Sequence, residues 1–242
     1  MAGTITAANL LLRIRDTLQD TTGVRWLDAE LLRYMNDAQR EIVNLRPEAA
    51  ATTANVALVV GTAQTIPTAG LRLIKVVRNM SAAGGSATGK RAIRIVDREI
   101  LDSQEPDWHD SSVGGDAAHT TTVKHYVFDE DDPRRFYVYP GASTTSTFVE
   151  IVYSTNPTDF ANTSSATMFV DDIYANALID YVLYRAYMKD AEFAGNQQRA
   201  QNHFQLFMSS VGAGFQAHTM ISPNMDAAKA IQPMMAPQPG AV

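Results

Sequence analysis

Helical and strand periodicities occupy separate blocks of this chain rather than alternating along it. Two helical segments come first, a strand-rich stretch follows, and two more helical segments precede a C-terminal tail. A parallel α/β fold interleaves its elements, so segregated runs predict an α+β fold. Neither helical pair is large enough to bury its own apolar face. The economical solution packs the first pair on the last as a helical bundle, with the β-rich segment inserted between them. The expected domains are therefore residues 1–53 with 168–211 (helical, discontinuous), 54–167 (β-rich insertion) and 212–242 (extended tail).

The local signals are specific. Leu11, Ile14 and Leu18 recur at helical spacing after Thr6, a suitable cap. The second helix is expected to start at Asp28, capping its own first turn, with Leu27 stapled to Leu32. Leu31, Leu32, Met35, Ala38, Ile42 and Leu45 form its stripe, and Arg46-Pro47 stops it. Such a helix spans about 28 Å. In the middle block, Val56–Val60 and Thr65-Ile66 suggest two short strands around Gly61. Leu71–Val77 is another strand, 81–89 a glycine-rich loop, and Lys90–Val96 a half-buried strand. Asp97–Gln104 reads as a short helix. His125–Phe128 and Phe136–Tyr139 form a hairpin, and Phe148–Tyr153 is expected to be its next strand. Asp171 and Asp172 open a helix whose face is Tyr174, Ala177, Leu178, Tyr181, Tyr184 and Met188. A last helix is expected over 196–210. Leu31, Leu32, Ile42, Leu178 and Tyr181 are the predicted core.

Composition limits the chemistry. The chain has 242 residues, no cysteine and a net charge of -6. Thiolate metal sites, disulfides and cysteine nucleophiles are excluded. A protein that coats DNA needs a basic surface, which this balance does not favour, although a local basic patch is compatible with it. No apolar run approaches the ~20 residues of a spanning helix, and the order of Arg13 and Arg15 after the first apolar run is wrong for a signal peptide. The expected setting is an intracellular chain or assembly.

The motifs give no catalytic, cofactor or metal residue. Gly84-Gly-Ser-Ala-Thr-Gly89-Lys90 has the spacing of a phosphate-binding loop, the basis of an alternative reading as a nucleotide-binding protein or enzyme. Arg91 stands where Ser or Thr should bind magnesium, and a strand rather than a helix is expected next. The five histidines lie in no metal-binding spacing. Asp129–Asp132 lacks the ligand alternation of a calcium loop and reads as a solvated turn. Trp108 is expected to pack the short helix onto the sheet, with an exposed anchoring role as the alternative.

Trp26-Leu-Asp-Ala-Glu-Leu-Leu-Arg-Tyr-Met-Asn-Asp-Ala-Gln-Arg-Glu-Ile-Val43, closed by Arg46-Pro47, resembles the helix of head-to-tail adaptors (tail tubular protein A-like) of short-tailed bacteriophages. Val77–Met80, Val96–Asp102, Pro106–His109, Phe136–Pro140 and the paired C-terminal helices extend the resemblance over most of residues 5–210. It implies a structural virion protein without catalysis, made in the host cytoplasm and placed at the head-to-tail junction. The implied assembly is a twelve-copy ring joining the portal protein to the tail nozzle protein, with tail fibres as further candidate partners. DNA passes through its lumen without sequence-specific binding. A head-completion protein of a long-tailed phage is a related alternative. In the resembling family C-terminal arms contact the portal, so Phe215, Met220, Ile221, Met225, Ile231, Met234 and Met235 are the candidate residues for binding the portal or a neighbouring subunit. Methionine suits irregular grooves, and prolines 223, 233, 237 and 239 favour an extended path.

Overall fold

The computed structural model describes residues 3–112, 114–115, 118–193 and 195–221, with side chains in the last helix described as far as Gly212. It is a mixed α+β structure of five α-helices and two four-stranded sheets.

Helix α1 (Ala7–Leu18) starts where Thr6 Oγ1 accepts from the Asn9 amide at 3.4 Å, the expected cap. Helix α2 (Asp28–Leu45) departs from expectation at its start. Leu27 is the capping residue and makes no side-chain cap. Asp28 is already helical, and its carboxylate turns to Arg15, whose Nε donates at 3.0 Å. Charge attraction wins over capping here, while the acid still complements the helix dipole. The expected staple is absent too, since Leu27 is 63% exposed. The stop occurs as expected: Arg46 leaves helical angles before a 3-10 turn, Pro47–Ala50.

Strand β1 (Ala51–Ala57) follows at once, then β2 (Gly61–Thr65), β3 (Gly70–Met80), β4 (Gly89–Ala92) and β5 (Arg94–Ile95). After α3 (Arg98–Gln104) come β6 (His125–Phe128), β7 (Arg135–Ala142) and β8 (Phe148–Thr155). One sheet has the order β1-β8-β3-β4 and the other β2-β7-β6-β5. The β6–β7 hairpin matches the sequence reading. Three expectations change. β1 and β2 do not form a hairpin but enter different sheets. Gly61, at φ 108°, turns the corner, and the buried Gln64 amide fixes it by bonding both backbone groups of Val59 and the Gly61 carbonyl. The 90–96 run is broken at buried Ile93, where the chain changes sheet, so Ile95 is 64% exposed rather than alternating inward. β8 does not extend the hairpin. It lies between β1 and β3, sending Val149, Ile151 and Tyr153 into the cluster shared with Phe136 and Val138 of the opposite sheet.

Residues 156–170 then run back to the helices. Asn36 Oδ1 accepts from the Phe160 amide at 2.8 Å, and Gln39 Oε1 from the Phe169 amide at 2.7 Å. A bridge between Thr6 and Thr167 ties the N-terminus alongside. Asp171 caps a 3-10 turn (Asp172–Tyr174), and Asp172 accepts from the amides of Thr4 and Ile5 and the Thr4 hydroxyl. Helix α4 (Ala175–Lys189) is buried on most of its surface. Gly195, at φ 86°, supplies the turn into α5 (Asn196–Ile221). One apolar cluster takes Leu31, Ile42, Leu178, Tyr181 and Phe207, with Leu32 packed against it. Helix α5 continues to Ile221, so residues 212–221 are helical where an extended tail was expected from 212. Gly212 and Gly214 do not end it.

Candidate assembly surfaces

Helix α5 carries three of the sequence-predicted contact residues, and α4 fixes its register. The Tyr181 and Phe207 rings meet edge-on at 5.2 Å, Tyr184 and Phe204 lie 5.0 Å apart, and His203 Nδ1 is 3.0 Å from Asp180. Val211 is 3% exposed, the last buried side chain among the described residues. There the Arg46 guanidinium, at the end of α2, donates to the Val211 carbonyl at 2.9 and 3.1 Å and to the Gly212 carbonyl at 3.2 Å. Such contacts normally close a helix end; here the helix runs on through them. Of the predicted contact residues, Phe215, Met220 and Ile221 fall in this last stretch of α5. Met225, Ile231, Met234 and Met235 lie outside the described residues. Earlier on the same helix, Phe204, Leu206 and Met208 are 40%, 54% and 43% exposed, while Phe207 is fully inside.

The glycine-rich loop has no nucleotide-binding geometry. Ser81 and Thr88 close it, and Gly89 begins a strand, so no helix N-terminus faces a phosphate there. Trp108 is completely buried, and its Nε1 donates to Asp102 at 2.8 Å. That bond, more than any other, holds the Asp102 carboxyl below its ordinary value. Trp108 therefore packs α3 onto the sheet through Val127 and Tyr139. His109 stacks on it and meets the Thr62 hydroxyl at 2.7 Å; burial first, then Arg98, keeps its pKa low. Among the described residues no group of three metal-ligating side chains converges. No described helix is long and apolar enough to cross a membrane.

An open groove of about 590 Å³ lies between the start of α3 and the β6–β7 turn. Asp97, Asp129, Glu130 and Asp131 line it, with Arg98 among them. Asp97 caps α3 by accepting from the Glu99 amide, and Asp129 holds the turn by accepting from the Asp131 amide. The acidic turn is thus solvated, as its sequence suggested.

The family of SU10 adaptor proteins matches residues 5–225, from before α1 to beyond the end of α5. The chain belongs to that family. It is a structural phage adaptor protein and not an enzyme, which bears out the resemblance read over most of residues 5–210. No curated protein matches. Among solved structures, the neck of an empty GTA particle computed with C6 symmetry is similar at 21% identity, over 81% of this chain and 86% of that chain, with a TM-score of 0.25.

Proposed function

We propose that the chain forms a closed ring at the head-to-tail junction of the virion, joins the portal to the tail nozzle, and surrounds the DNA channel. A family match spanning both sheets and every helix is the observation that carries this reading. The ring has twelve copies and is built head to tail, a geometry that closes only when the rotation between neighbours permits it. The chain's -6 charge suits a lumen that lets DNA slide, because a basic lumen would release counterions and grip phosphates.

In this reading residues 1–53 with 168–211 act as one helical body, and 54–167 as an inserted β body. Their separate apolar clusters support that division. The segment after Gly212, with Phe215, Met220, Ile221, Met225, Ile231, Met234 and Met235, docks on the portal or a neighbouring subunit. The exposed apolar side chains of Phe204, Leu206 and Met208 lead into it.

A phage lacking this chain tests the reading. It should package DNA but leave heads without tails, and adding the purified chain should restore tailed, infectious particles. Normal tailed particles in its absence would refute the junction role.

A further inference from the structure

Charge is divided unevenly within the β segment. Residues 71–96 contain Arg72, Lys75, Arg78, Lys90, Arg91 and Arg94 and no acidic residue, within a chain that is acidic overall. All six side chains are exposed. Arg78 pairs with Glu150 at 2.5 Å, whereas Lys90, Arg91 and Arg94 make no ion pair among the described residues. The acidic groove has the opposite character. Glu130 and Asp131 are exposed and likewise lack a cation partner among the described residues.

The topology sets these charges at two ends of one structure. Strands β5 and β6 run parallel, pairing Arg94 with His125 and Ile95 with Tyr126. Arg91, Arg94 and Lys124 all act on His125 at the start of this pair. The buried Asn79 amide fixes that end, because it bonds the Arg91 and Val123 carbonyls and the Val123 amide. At the far end, both strands lead into the groove, β5 through Asp97 and β6 through Asp129. Along the chain Lys124 to Asp129 spans roughly 16 Å and Arg94 to Asp97 roughly 10 Å.

We propose that the basic end, Lys90, Arg91 and Arg94, docks into the acidic groove, Asp97, Asp129, Glu130 and Asp131, of the next copy of this chain. The inference rests on the ring reading above and gives it a contact surface. A patch and its complement at different places on one subunit can make a heterologous contact, the kind that propagates around a ring. Complementary charge fixes register and rejects wrong orientations, since like charges brought together cost several kcal/mol.

Two charge-reversed chains test it in a phage lacking the gene. The first carries Arg91→Glu and Arg94→Glu, so both of its ends are acidic. The second carries Glu130→Lys and Asp131→Lys, so both are basic; Asp129 is left intact because it holds the turn. Each alone should lower the yield of tailed particles by roughly a hundredfold, because neighbours then repel. Expressed together they should restore it, because acidic and basic copies can alternate around the ring. Unchanged melting curves establish that both chains fold. If either melts early, the neutral pairs Arg91→Gln with Arg94→Gln, and Glu130→Gln with Asp131→Asn, replace the reversals. They should weaken assembly less and remove its sensitivity to added salt. No recovery on co-expression, or neutral pairs whose assembly keeps the wild-type salt sensitivity, overturns the contact. So does a defect confined to the first chain, which would assign the basic end to DNA. Wild-type particles without an axial ring would overturn the ring reading itself; a ring without rescue overturns only this contact.

Discussion

Asn79 shows how single polar residues hold this protein together. It is 2% exposed, and its one side chain satisfies three backbone groups on two other segments. Removing it strands buried donors and acceptors, each costing about 1–3 kcal/mol. With three backbone groups left without their partner, Asn79→Ala should lose at least about 2–4 kcal/mol in chemical denaturation. A loss near zero would mean that water replaces the amide. Asn36 and Gln39 act similarly on α2, each taking a backbone amide of the 156–170 connection. None of these three was legible in the sequence. A helical stripe is read from apolar residues, and a polar residue is assigned outward unless its partner, here more than 120 positions away for α2, is known. The Asp28 cap failed for the same kind of reason: Arg15 offers the carboxylate a charged partner that periodicity does not reveal.

At the scale of elements, local signals were read well and pairings less well. The stop at Pro47 and the Thr6 cap each depend on residues within one turn of each other, and each occurs. Strand partners depend on where the chain changes sheet, at Gly61, between Thr65 and Gly70, at Ile93 and after Ala142, and no nearby residue announces that. The candidate contact residues were legible only as composition. An extended tail is expected from residue 212, yet α5 continues to Ile221. Two predictions belong at this scale. Leu178 is fully buried on α4, so Leu178→Ala should cost about 2–5 kcal/mol by transfer and cavity terms. Truncation after Gly212 keeps buried Val211 and both carbonyls held by Arg46. The shortened chain should melt as the full chain does but lose affinity for tail-less heads. Unchanged affinity would remove the docking role of the C-terminal segment.

For the whole molecule, acid should weaken the fold in two stages. Burial first, then the cations nearby, lowers the pKa of His109 and His125 below the ordinary 6.5. Their contribution is complete above 6.5 and falls as pH drops toward their folded values, because the unfolded chain takes the protons first. Asp20, Asp102, Asp110 and Asp172 are lowered from 3.8, and Glu30 from 4.5. The leading causes are hydrogen bonds: from the Trp26 amide to Asp20, from Thr4 to Asp172 and from Lys189 to Glu30. Stability from these carboxylates is present above their ordinary values and lost as pH falls through the lowered ones. Denaturation midpoints measured from neutral pH to about pH 3 should drop in both windows. Asp172→Asn should flatten the lower one, and an unchanged slope would show that Asp172 contributes nothing to it.

The ring at the head-to-tail junction is the central claim, and the most direct measurement of it is a cryo-electron microscopy reconstruction of the virion without imposed symmetry. The account predicts a closed ring of twelve copies of this chain on the tail axis, between portal and nozzle, with the DNA path running through it. A ring of different order, or density for this chain away from that axis, would contradict it.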